Sequence, residues 1–95
     1  MTAWARVPGG WALNLDGSDA AAVFSLPRLE ARAGPNGWQS LCLSEDGSRR
    51  ENAKRATASV WEAKDDALAL GCRALGPAHA AALAELRRPG TAATR

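Results

Sequence analysis

Gly37-Trp38-Gln39-Ser40-Leu41-Cys42-Leu43, the polar run Ser44 to Asn52, and then Arg55-Ala56-Thr57-Ala58-Ser59-Val60-Trp61 form the stretch that decides the fold. The first run alternates, with Leu41 and Leu43 on one face, which is the period of a half-buried strand. The last run alternates too, with Ala56, Ala58 and Val60 opposite Thr57, Ser59 and Trp61, and predicts a second strand. Between them Arg49, Arg50, Lys54 and Arg55 fall within seven residues, broken only by Glu51, Asn52 and Ala53. This is the densest positive cluster in the chain, placed where a hairpin loop is expected.

Working outward toward the N-terminus, the pattern stays strand-like. Trp11, Leu13 and Leu15 share one face, and Ala12, Asn14 and Asp16 share the other. Pro8-Gly9-Gly10 before this run and Asp16-Gly17-Ser18-Asp19 after it are turn signals. Residues 3–7 make a first short strand. Ala20 to Leu26 reads as another strand because of Val23 and Phe24, with a short helix as the competing reading of its alanines. After Pro27, Leu29, Ala31 and Ala33 alternate with Arg28, Glu30 and Arg32, a strand with a charged outer face. Gly34-Pro35-Asn36-Gly37 is the next turn. A weak internal repeat links Gly10 to Ser18 with Gly37 to Ser48: a glycine, a strand opened by Trp with a Leu-x-Leu pair, and a closing Asp-Gly-Ser. Duplication and the shared residue preferences of hairpins both explain it.

From Ala63 the period becomes helical. Ala63, Ala67, Leu68, Leu70, Gly71, Ala74 and Leu75 make an apolar stripe, and Gly76-Pro77 ends it. Ala78 to Arg88 predicts a second helix, stopped by Pro89-Gly90. Strands followed by helices predict an α+β fold: an antiparallel sheet of up to six strands in two meanders, with two C-terminal helices on one face. Residues 1–90 are expected to form a single domain and residues 91–95 a tail.

Composition excludes more than it assigns. Four Trp, one Phe and no Tyr mean that a few indoles dominate any core or binding face. Cys42 and Cys72 have apolar neighbours and read as free thiols, and the N-terminal residues hold no apolar run of the kind a secretory leader carries, so a cytoplasmic setting is expected. No segment is apolar enough to cross a membrane. Net charge is +2, with three basic against five acidic residues in 1–48 and nine against five in 49–95. A single histidine, His79, and two separated cysteines offer no metal or cofactor spacing, and no phosphate loop or nucleophile elbow is present. No enzyme is expected.

Binding is the remaining class. The cluster Arg49, Arg50, Lys54 and Arg55 on a hairpin tip suits phosphates or an acidic protein surface. Trp11 and Trp38 are expected in the core, Trp61 and Trp4 at the surface, where indoles serve as contact anchors. Segment 38–75, with its Trp-opened strand, Asp-Gly turn, basic stretch, Trp-ended strand and Ala-rich helix, resembles the three-stranded-sheet-plus-helix modules at the N-termini of phage-type integrases. It departs from them in a longer loop and in Ala63, where those modules favour Thr or Ser as helix cap. That resemblance implies DNA contact through the sheet. The leading expectation is a small inhibitor or adaptor working by protein–protein contact, of the kind phages and mobile elements direct against a host nucleic-acid machine. A nucleic-acid-binding module is the alternative, and an unpaired edge strand admits a homodimer.

Overall fold

Leu13, Leu29 and Cys42 stand opposite one another in a row across three antiparallel strands, and all three are buried. Alternation therefore turns one whole face of the sheet toward the helices. The computed structural model describes residues 4–86. It contains β1 (Ala5–Val7), β2 (Gly10–Asn14), β3 (Arg28–Gly34), β4 (Gly37–Leu43) and β5 (Arg50–Asn52), followed by α1 (Val60–Ala74) and α2 (Pro77–Leu86). The five strands pair in chain order as one antiparallel meander, and the fold is α+β as the sequence predicts. The expected tail, residues 91–95, and the basic pair Arg87-Arg88 lie outside the described residues.

Helix α1 lies on β3 and β4, and α2 packs on α1. The contact deepens at Gly71. A Cβ there would stand 2.7 Å from Leu83 Cδ1 and 3.2 Å from Leu29 Cδ2. The missing side chain lets Leu83 of α2 reach past α1 to the sheet, and Leu13, Leu29 and Leu83 are each 0% exposed. Each contributes roughly 1.5–3 kcal/mol of burial. Among the described residues no helix is long and apolar enough to cross a membrane.

Two expected strands are absent among the described residues. Ala20 to Leu26 is a loop of turns, because the Asp19 carboxylate takes the Ala21 amide at 2.9 Å and the Asp19 carbonyl takes the Ala22 and Val23 amides at 3.0 Å. The run from Arg55 to Trp61 pairs with β4 only at Trp38 and Thr57 and then enters α1. Ser59 caps that helix in extended backbone, its Oγ accepting the Trp61 amide at 3.1 Å. Ser59-Val60-Trp61-Glu62 is a capping-box pattern that outranks the strand alternation. The helix thus begins three residues before the expected Ala63.

The internal repeat is realised as geometry. β2 and β4 both run into an Asp-Gly-Ser turn in which the Asp carboxylate takes the amide two residues on at 2.9 Å and the Ser hydroxyl at 2.6 or 2.7 Å. The serine hydrogen bonds hold the carboxyl pKa values of Asp16 and Asp46 down to about 2.

Gly37 opens β4 at φ +120°, and a Cβ on it would fall 2.4 Å from the Thr57 carbonyl oxygen. Gly17 also has positive φ, +88°, but nothing lies within 4 Å of its Cβ position. Chemical denaturation is expected to show Gly37→Ala destabilising by about 2–4 kcal/mol and Gly17→Ala by about 1 kcal/mol, since only the first adds a backbone clash to the strain. Equal losses would contradict this account of the Thr57 bridge.

Candidate binding surface

The four clustered cations do not share a hairpin tip. That tip is Ser44 to Ser48 and carries Glu45 and Asp46. Arg49 follows it and pairs with Glu51 at 3.1 Å, and Arg50 is the first residue of β5. Lys54 and Arg55 lie beyond the end of β5. There Leu41 faces Asn52 while Trp38 faces Thr57, so the edge carries two residues more than a continuous ladder needs. The surplus bulges Lys54 and Arg55 outward, and both are exposed. A short, bulged, lysine-bearing edge also discourages sheet extension by another chain.

Three of the four indoles come together instead. Lys64 projects from α1 with its Nζ 3.9 Å from the Trp11 ring centroid, 4.3 Å from Trp61 and 5.7 Å from Trp4. Arg6 lies over Trp11 at 5.5 Å. Lys64 is only 7% exposed. Burial pushes its pKa below the ordinary lysine value of 10.5. The ring faces act in the opposite sense, favouring the ammonium. Trp61 is 38% exposed in the first turn of α1, and not on a strand face as its alternation predicted. Trp4, expected at the surface, is half-buried against the core. Trp11 and Trp38 are half-buried as well. The helical period puts Lys64 with Asp65, Asp66 and Arg73 on the polar side of α1, but the structure buries it among the indoles; its i+3 spacing from Trp61 was the available signal.

The charged outer face expected on β3 is covered at Arg28 and Glu30, while Arg32 stays exposed. Arg28 and Glu30 are 5% and 3% exposed. Glu30 accepts from Arg28 Nε at 2.8 Å and from Arg32 Nε at 2.6 Å, and Arg28 Nη1 donates to Asn14 Oδ1 at 2.8 Å. The cover is the loop between β2 and β3. Asn14 Nδ2 donates to the Val23 carbonyl at 2.9 Å, Arg28 Nη1 to the Ala20 carbonyl at 3.5 Å, and the Arg28 guanidinium lies 4.8 Å from the Phe24 ring centroid. Phe24 and Val23 stay outside, 64% and 48% exposed. Neither was singled out as a contact residue from the sequence.

His79 Nε2 lies 2.7 Å from Glu45 Oε1, tying the start of α2 to the β4–β5 turn. Burial pushes the Cys42 thiol up to about 11, with the Glu51 charge adding to the rise, so it stays protonated at neutral pH. Cys42 and Cys72 are both free. Among the described residues no group of three or more His, Cys, Asp or Glu is placed to hold a metal ion. Comparison with family models, curated proteins and solved structures finds no match to this chain.

Burial alone would raise the Glu30 carboxyl, but the hydrogen bonds and charges of Arg32 and Arg28 outweigh it and hold the group below its ordinary 4.5. A carboxylate depressed by folding stabilises fully above the unfolded value, and that contribution is lost as pH falls through the folded value. Glu30→Gln removes the counter-charge of buried Arg28 and is expected to cost about 3–5 kcal/mol at neutral pH. In urea denaturation at falling pH, the gap between the two proteins should close once Glu30 protonates. A gap independent of pH would contradict the ion triad.

Proposed function

We propose that the chain is a small binding module that acts by protein–protein contact, as an inhibitor or adaptor, without catalysis of its own. The observation that supports this is Trp61, whose backbone is held by the Ser59 cap and whose indole, 38% exposed, has the Lys64 ammonium 4.3 Å from its ring. A rigid aromatic side chain at the surface loses little entropy on docking, and Trp is among the residues most enriched at interface hot spots. Lys54 and Arg55, bulged out in the segment that leads into α1, add positive charge to the same stretch of chain. Two features weigh against nucleic acid. The cations are divided by β5, with Arg49 neutralised by Glu51, and a buried ammonium already lies over the Trp61 ring. Two free thiols in separate elements favour a reducing compartment, and we place the module in the cytoplasm.

Tryptophan fluorescence, titrated with a mixed single- and double-stranded oligonucleotide pool at low and moderate salt, separates the readings. The protein-contact reading expects no saturable change. A saturable change that weakens steeply with salt would replace it with the nucleic-acid reading. For a partner obtained by crosslinking, Trp61→Ala is expected to weaken binding by about tenfold or more, and more than Arg49→Ala, Arg50→Ala, Lys54→Ala or Arg55→Ala singly.

A further inference from the structure

The loop between β2 and β3 is folded inside out. An apolar run packs by turning its large side chains inward, but here the carbonyls of Ala20 and Val23 point to the sheet and bond to Arg28 and Asn14, while Val23 and Phe24 face solvent. The polar anchors hold these two side chains outward. Phe24 rests on the Arg28 guanidinium, itself locked to Glu30. The loop is further tied by the Ser25 hydroxyl donating to the Asp16 carboxylate, and by Leu26, whose Cδ1 lies 3.2 Å from the Cβ position of Gly47 in the neighbouring β4–β5 turn. The apolar pair is therefore presented on a braced support, which lowers the ordering cost of docking.

The surroundings of that pair are acidic. Asp16 and Asp19 belong to its own loop, and Glu45 and Asp46 to the turn against Leu26. Asp16 and Asp46 are exposed, and their serine partners keep them ionised. The nearby cations are partly paired: Arg28 and Arg32 share Glu30, Arg49 meets Glu51 at the surface and His79 meets Glu45, while Arg50 is exposed at the start of β5. An exposed apolar centre whose nearby exposed charges are mostly carboxylates, with Arg50 the exception, suits a partner of the opposite sign.

We propose that Val23 and Phe24, framed by Asp16, Asp19, Glu45 and Asp46, form a docking surface for a cationic protein segment with an apolar centre. The occupant is a Lys- and Arg-rich segment carrying a large apolar residue that packs on Phe24 and Val23, while its charges meet the carboxylates. The surface is separate from Trp61 and does not depend on the role given to that residue.

The test titrates the isotopically labelled full chain by NMR with a synthetic peptide in which Lys and Arg flank a Leu-Trp centre. A charge-inverted peptide with Glu and Asp flanks is the control. The cationic peptide is expected to shift the resonances of residues 19–26 and 44–48, and the acidic one to leave them in place. Phe24→Ser, at a site too exposed to carry the fold, is expected to weaken binding at least about tenfold. Asp19→Asn with Glu45→Gln is expected to weaken it and flatten its salt dependence. Trp61→Ala is expected to stay within about twofold of the parent, since the sites are independent. The proposal is overturned if the two peptides bind alike, if the cationic peptide does not bind or maps elsewhere, or if Phe24→Ser binds as the parent does. Sedimentation showing a dimer that Phe24→Ser dissociates would overturn it in favour of a second copy of this chain.

Discussion

The ion pair between Arg28 and Glu30 is the interaction on which the covering of the sheet's second face and the path of the β2–β3 loop depend. A five-stranded meander with helices on one face has a second face to dispose of, and here that face buries Arg28 and Glu30 beside Ala12 and Leu41. Arg28 fills it with a guanidinium whose donors go to Glu30, to Asn14 and to the Ala20 carbonyl. Removing one partner would strand a buried charge, so the group must be kept whole or replaced whole. Its geometry sets the path of the β2–β3 loop, and that path sets what the protein shows to solvent at one end.

The helical face follows a simpler rule. Leu13, Leu29 and Cys42 align across the strands, Gly71 leaves room, and Leu83 fills it. Trp11 extends the same face toward the start of α1, where Lys64 meets three indoles. One side of the sheet is thus held by apolar packing that ends in a cation among rings, and the other by a polar network that ends in a ring on a cation, Phe24 over Arg28. Both devices set a cation against an aromatic ring that reaches solvent, Lys64 against Trp61 and Arg28 against Phe24.

Much of this architecture was legible in the residues. The alternation of Trp11, Leu13 and Leu15, the Asp-Gly turns and the helical stripe from Ala63 are local signals, and each produced its element. The failures have local causes as well. Arg55 to Trp61 alternates like a strand, but the Ser59 cap with Glu62 in the first turn starts a helix there. Ala20 to Leu26 lacks a partner strand, and Asp19 gathers its amides into a turn. Arg28, Glu30 and Arg32 read as a solvated stripe because alternation reports two faces without saying which is covered. Of the proposed contact residues, Trp61 was singled out by residue type, whereas the reach of Lys64 to Trp11 and Trp4, the bulge that splits Lys54 and Arg55 from Arg49 and Arg50, and the outward Phe24 are products of tertiary register. No one-dimensional pattern encodes those.

Amide hydrogen exchange on a protein carrying Arg28→Met and Glu30→Met together tests the central claim most directly. Replacing both charges by apolar groups of similar length avoids a stranded ion, so global stability should change little. If Arg28 sets the loop, the amides of Ala22 and Val23 should exchange faster in the double variant while those of β3, β4 and α1 keep their protection. Unchanged protection at Ala22 and Val23 would show that the loop holds its path without the ion pair, and would contradict the account.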